Sequence, residues 1–167
     1  MLTKNFYSYI RAAFQDTSAA FVQTDGTAVS KAYSKAANPF EVMKGWAADI
    51  STNGVSFGTG TTPATASDYV IESILNNTQI SVSTPNAVSF SRADTYDEYS
   101  VTFGITNKTA EAITISEVGL TACPNTNGTP YTFALVDRTV LDTPITIPAG
   151  QSKQITYTIR FNYGDAV

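Results

Sequence analysis

In residues 141–161, LDTPITIPAGQSKQITYTIRF, apolar and polar residues alternate up to a Pro-Ala-Gly turn and alternate again beyond it. Period two is the repeat of a strand with one buried face, and a helix cannot satisfy it. Two such runs about a short turn containing glycine read as a β-hairpin. The same period recurs upstream. In TQISVSTPNAVSFSR, Ile80, Val82, Val88 and Phe90 take alternate positions, and in YDEYSVTFGITN, Tyr99, Val101, Phe103 and Ile105 share a face. ITISEVGL places Ile113, Ile115 and Val118 near one face, with an irregularity expected at Glu117. YTFALVDRTVL is fully apolar at its middle, and NKTAEA and CPNTNGTP are loops rich in turn-forming residues. Six or seven short strands, with no crossover helix for a parallel sheet after residue 76, predict an all-β fold. The expected architecture is an antiparallel β-sandwich of the jelly-roll or immunoglobulin-like kind.

The N-terminal third differs. Leu2, Phe6, Ile10 and Phe14 recur every four residues, with Ala13 beside them, which predicts a short helix or arm bearing one apolar stripe. Such a stripe must cover a surface. Its own domain is the nearest, and a neighbouring subunit is the alternative that makes these four residues candidate assembly contacts. Asp25-Gly26, between two β-prone runs, is a hairpin signal. NPFEVMKGWAADI reads as a helical turn or loop around Trp46. The chain thus divides into an N-terminal arm with an irregular segment, 1–54, and a sandwich domain, 55–167. Within the latter, VSFGTG opens with a short strand. TASDYVIESIL then predicts one or two helical turns, with Thr65 or Ser67 as N-cap and Asp68 in the first turn.

Composition narrows the partners. Charged residues are only 14% of the chain, the net charge is −4, and the ten basic residues are scattered. Nucleic acid requires a basic stripe to neutralise phosphates, so it is not an expected partner. No apolar run approaches the roughly 18 residues of a membrane span, and MLTKNFYSYIRAAF interrupts its apolar residues with Lys4 and Arg11. The expectation is a chain made and assembled in the cytoplasm, with no membrane partner. A lone Cys123 fits that compartment, since one chain cannot build a disulfide framework from it.

The reactive side chains are sparse. Histidine is absent, which removes the commonest general base and metal ligand and every Ser-His-Asp or Cys-His arrangement. No catalytic residue, metal site or cofactor is expected, and the chain reads as non-enzymatic. Asp94, Asp97 and Glu98 cluster before a strand, but Ca²⁺ needs six to eight converging oxygens, and a solvated, turn-forming cluster is the simpler reading. A glycosidase needs only two carboxylates, yet none of the 14 acids forms a recognisable pair. FGTGTTP lacks the further glycine and following helix of a phosphate loop, so Gly58 and Gly60 are expected to serve a tight connection at positive φ. Most aromatics fall at strand core positions. Trp46 and Tyr69 do not, and they are the candidate glycan contacts.

GTGTTPATASDYVIES, and ISEVGL followed by LVDRTVLDTPITIPAGQSKQITYTIRF, resemble segments of small structural proteins of tailed bacteriophages, including phages of gut bacteria. In those proteins a VGTGTTPP…SDYALES-like segment leads into a sandwich that ends in TPVTIPAGGS-like and TVTYTI-like runs. The opening MLTKNFY is also similar. The resemblance spans roughly residues 1–7 and 55–161, and Gln151 and Lys153 stand where smaller residues are commoner. It rests on structural motifs and transfers no catalytic residue. It implies a virion component: a head decoration, collar or neck, or fibre-attachment protein, with a tail or baseplate piece or a host-glycan-binding module as alternatives. Such a protein would be homo-oligomeric, would contact capsid, portal or neck, or tail proteins, and would reside in the virion after assembly in the host cytoplasm.

Overall fold

The alternating segments form two antiparallel sheets laid face to face. The computed structural model describes residues 1–15, 18–32, 43, 45–84, 88–123 and 133–162. Helix α1 (Lys4–Gln15) is followed by a hairpin of β1 (Ser18–Val22) and β2 (Ala28–Ala32). The other strands are β3 (Gly54–Gly58), β4 (Ile80–Ser83), β5 (Ser89–Arg92), β6 (Tyr96–Asn107), β7 (Ile113–Ala122), β8 (Ala134–Ile147) and β9 (Ser152–Asn162). One sheet runs β3-β7-β8. In the second, β6 is central, with β9 along one edge and β4 and β5 sharing the other. The fold is therefore the expected all-β sandwich with one short N-terminal helix.

Alternation decides which side chains meet between the sheets. Val101, Phe103 and Ile105 of β6 and Ile155, Tyr157 and Ile159 of β9 are buried. Their outward neighbours form a hydroxyl face, on which Thr102 pairs with Thr156 at 2.9 Å and Thr106 with Ser152 at 2.7 Å. The sheets touch where the Phe57 and Phe103 rings pack edge to face, with centroids 5.5 Å apart. Both rings are fully buried, and each contributes about 1.5–3 kcal/mol by leaving water.

The stretch 141–161 is not a hairpin. β8 pairs with β7 and β9 pairs with β6, so the turn at 148–151 carries the chain from one sheet to the other. Residues 108–112, between β6 and β7, cross in the same way. A buried Asn107 joins the two crossings. Its Nδ2 donates to Glu111 O and Ile147 O, its Oδ1 accepts from Thr109 N and Oγ1, and its backbone bonds Gly150 and Gln151. Gly150, at φ 67°, supplies the left-handed residue of the second crossing. Periodicity gives the face of each strand but not its ladder partner.

Other expectations divide. The hairpin at Asp25-Gly26 is present, with Gly26 at φ 86° and Asp25 Oδ1 accepting from Thr27 N. The irregularity at Glu117 is present too. Ile115 pairs with Ile145 and Glu117 with Val140, so Leu141 to Pro144 of β8 bulge opposite Ser116. TQISVSTPNAVSFSR forms two strands, β4 and β5, on one edge of β6. NPFEVMK apart from Met43, and CPNTNGTP apart from Cys123, lie outside the described residues.

The helical turns expected in 65–75 are absent; the segment is a strap of turns and bends ending in a bridge at Ile74. Thr65 N and Oγ1 donate to Asp68, as in a helix cap. The next amides go elsewhere: Glu72 N and Ser73 N donate to the Glu117 carboxylate, and Leu75 N to Phe57 O. Tertiary acceptors replace the i−4 carbonyls, and no helix forms.

Helix α1 packs on its own domain. Phe6, Tyr9 and Ala12 belong to the same buried cluster as Val55, Phe103 and Ile155. Asn5 ties helix to hairpin, its Nδ2 donating to Val22 O and Leu135 O and its Oδ1 accepting from Val22 N. Residues 1–3 run along β8, with Thr3 N bonding Val136 O and Arg138 N bonding Met1 O. Residues 45–47 and 73–75 line β3 in the same manner. Both outer strands of the three-stranded sheet thus carry covering segments from their own chain, which blunts edge pairing there.

Replacing Phe57 or Phe103 by alanine is expected to cost about 3–5 kcal/mol each. The double variant should fall short of additivity by about 0.5–1.5 kcal/mol, because the rings are each other's partners. Urea unfolding of the three variants checks both numbers.

Candidate functional site

The most concentrated polar chemistry in the fold lies where the 59–76 strap crosses β7 and β8. Strand period places Glu117 on the strap side of β7, opposite in sense to Val118, and pairing sets Arg138 of β8 across from Gly119. Glu117 is fully buried and Arg138 nearly so. The Glu117 carboxylate accepts four hydrogen bonds: from Gly60 N at 3.0 Å, Ser73 N at 2.7 Å, Glu72 N at 3.1 Å and Arg138 Nε at 2.9 Å. Arg138 then reaches Asp68 Oδ2 at 2.8 Å, Thr62 O at 3.1 Å and Glu72 Oε2 at 3.4 Å. The two outer acids hold the strap to itself, Asp68 through Thr65 and Glu72 through the Thr62 amide and hydroxyl.

This geometry corrects the role expected of the glycines. Gly58 and Gly60 do not have positive φ; among the described residues the glycines that do are Gly26, Gly54 and Gly150. A Cβ on Gly58 would stand 2.6 Å from Glu117 Oε1, and one on Gly60 would stand 2.6 Å from Glu72 Cβ. They are glycines because the strap backbone must approach a buried carboxylate closely.

The electrostatics follow from the contacts. Burial alone would lower the Arg138 guanidinium, but the Asp68 and Glu117 carboxylates more than offset it and hold it charged. Burial pushes Asp68 up, and the Thr65 amide and hydroxyl with Arg138 outweigh this, leaving it below its ordinary value. The Thr62 amide and hydroxyl, aided by Arg138, hold Glu72 below its own. A general acid at neutral pH requires the opposite shift. Beside this cluster lies an open cleft of about 330 Å³, lined by Thr62, Ser67, Tyr69 and Val70 with the edges of Asp68, Glu72 and Arg138.

The candidate residues fall in different places. Tyr69 is 41% exposed, on the wall of that cleft, with its ring against Gly26 of the β1–β2 turn. Trp46 is half-buried against the core, where its backbone bridges Val55. Phe6 is buried and stacks on Phe161 at 5.9 Å; Leu2 and Ile10 are partly buried against the same core. The side chain of Phe14 lies outside the described residues. Asp97 and Glu98 lie within β6 and form ion pairs, with Arg92 at 2.7 Å and Arg160 at 2.7 Å, while Asp94 sits exposed before the strand. The turn-forming reading thus holds for Asp94 alone. Cys123 is buried.

A second concavity, about 530 Å³, lies on the hydroxyl face, lined by Ser81, Ser83, Gly104, Thr106, Ser152 and Gln154 among others. Its hydroxyls are largely engaged with each other or with backbone, Ser83 Oγ bonding both N and O of Gly104.

Glu117 and Arg138 escaped the sequence reading, though a signal exists. Glu117 is the lone charge of β7, and Arg138 stands beside Asp137 in the apolar middle of β8; charges so placed must find partners or face solvent. Glu117→Gln keeps the shape but turns a donor toward groups that are themselves donors. It is expected to cost about 3–5 kcal/mol, with Tm falling on the order of 10 °C. Gly60→Ala should also destabilise, whereas Gly150→Ala, with nothing within 4 Å of the added carbon, meets only the strain of its positive φ. Thermal unfolding ranks the three.

No protein-family model, curated protein or solved structure matches the chain.

Proposed function

We propose that this chain is a non-enzymatic structural subunit of a tailed-bacteriophage virion, a head decoration, collar or neck, or fibre-attachment component. It acts through contacts with copies of itself and with capsid, portal or neck, or tail proteins, and it reaches the particle after assembly in the host cytoplasm. One observation carries the reading. The segments that resemble phage structural proteins, GTGTTPATASDYVIES, ISEVGL and LVDRTVL, are the ones that converge on Glu117 and Arg138. What the resemblance shares is a frame for a rigid sandwich, and its acids are engaged by amides and one guanidinium. Gly58, Gly60, Thr62, Asp68 and Glu72 are accounted for by that frame without a substrate. The covered sheet edges support a subunit that meets its neighbours by side-chain surfaces. At the N terminus, Leu2 and Ile10 keep part of their surface open to a neighbour, while Phe6 does not.

A tail or baseplate position is the nearest alternative. A host-glycan-binding role is favoured by one feature, the exposed Tyr69 on its cleft.

Particles of a phage that carries this coding sequence, purified on a density gradient, should contain the chain at a fixed multiple per particle by quantitative mass spectrometry. Labelled antibody should mark the head, neck or tail in electron micrographs. Absence from purified particles would overturn the proposal.

A further inference from the structure

The strap is attached to the sandwich in an unusual way. Three carboxylates, Glu117, Asp68 and Glu72, surround one guanidinium, Arg138. Five strap amides, those of Gly60, Thr62, Thr65, Glu72 and Ser73, end on those carboxylates. Among the described residues, 60–72 is held besides by Lys4 Nζ on Ser67 Oγ, by Arg138 Nη2 on Thr62 O and by the Tyr69 ring against Gly26. Ile71 is buried at its centre, Lys4 N bonds Ala66 O, and pairing with β3 resumes only at 73–75. The sandwich beneath is held by aliphatic and aromatic side chains between its sheets. Strap and sandwich therefore depend on different forces, and only the first is removed by protons.

We propose that residues 60–73 form an acid-releasable strap, which lifts from β7 and β8 when Asp68 and Glu72 are protonated while the sandwich stays folded. Asp68 and Glu72 are held below their ordinary values by the Thr65 and Thr62 donors and by Arg138, Asp68 despite the opposing effect of burial. Groups depressed on folding stabilise above their unfolded value, and that contribution is lost as pH falls through the folded value. The release window thus lies below about pH 4. Among the described residues, the other charged groups beside the strap are Lys4 of α1, whose Nζ donates to Ser67 Oγ, Asp25, which precedes the Gly26 that packs on Tyr69, and Asp142 of β8, which shares a groove with Pro63 and Ala64. Asp137, next to Arg138, is engaged by Tyr157 and the Met1 ammonium. Release tracks the Asp68 and Glu72 carboxylates. Opening bares the glycine-lined floor at Gly58 and Gly119 and the β3 edge beside Ser73.

Amide hydrogen exchange on the full chain, followed by NMR from pH 7 to pH 3 and corrected for intrinsic rates, reads this directly. At pH 3.5 the protection of the five strap amides should fall together by about tenfold or more, while those of Val101, Phe103 and Ile105 in β6 stay within about twofold. If strap and β6 lose protection in one step, or the strap keeps its protection to pH 3, the proposal fails. The double variant Asp68→Asn/Glu72→Gln removes the two outer titrating groups without touching Glu117. Its strap protection should start lower at pH 7 and change by less than half as much, on a logarithmic scale, as the wild type. A variant that titrates like the wild type would also sink the idea.

Discussion

The path of the strap over the sandwich depends on a charge placed where water cannot reach it. Glu117 sits in the middle of β7 with no solvent exposure, and an unpaired carboxylate there would be too costly to keep ionised. Its four donors come from two places, the strap and β8. Satisfying one side chain therefore fixes the path of a segment more than 40 residues away in sequence. A buried ion pair adds little net stability over a well-packed apolar pair, but removing one partner is expensive. That asymmetry makes the cluster a specifier: the strap has one seat, and the glycines at 58 and 60 exist because that seat is tight.

A second node works at the end of the sandwich. Asn107 joins the crossing from β6 to β7 with the crossing from β8 to β9, so both changes of sheet are fastened to one buried amide. Its partners are backbone groups and the neighbouring Thr109, so the geometry is that of a frame. The N-terminal residues complete the frame from the other direction. Asp137 of β8 faces the Tyr157 hydroxyl at 2.8 Å and the Met1 ammonium at 3.0 Å, and burial together with that carboxylate pushes the Tyr157 phenol well above its ordinary value. A chain with few charges has placed most of the buried ones where segments distant in sequence must meet.

That economy bears on function. An enzyme keeps some polar groups poised and incompletely engaged, at the expense of stability. Here the acids that border the cleft beside Tyr69 are bound to amides, hydroxyls and Arg138, and the hydroxyls of the opposite face are bound to one another. A polar surface so engaged offers shape and outline to a neighbour, in keeping with the proposed role as a subunit of an assembly.

The sequence by itself determined the class of the fold, the short N-terminal helix, the hairpin at Asp25-Gly26 and the break at Glu117, because each rests on a local rule of periodicity, turn conformation or disrupted alternation. The charges at 117 and 138 also stand within apolar runs of the sequence, but nothing local says what they bind. Only the tertiary structure decided that 141–161 bridges two sheets, since a hairpin and a crossing share the same alternation and the same Pro-Ala-Gly turn. It also decided that 65–75 is a strap, since the donors that would have built a helix found a better acceptor in a carboxylate supplied from β7. Local pattern fixes what each residue can do; which partner it meets is set by the competition among all buried groups for satisfaction at once.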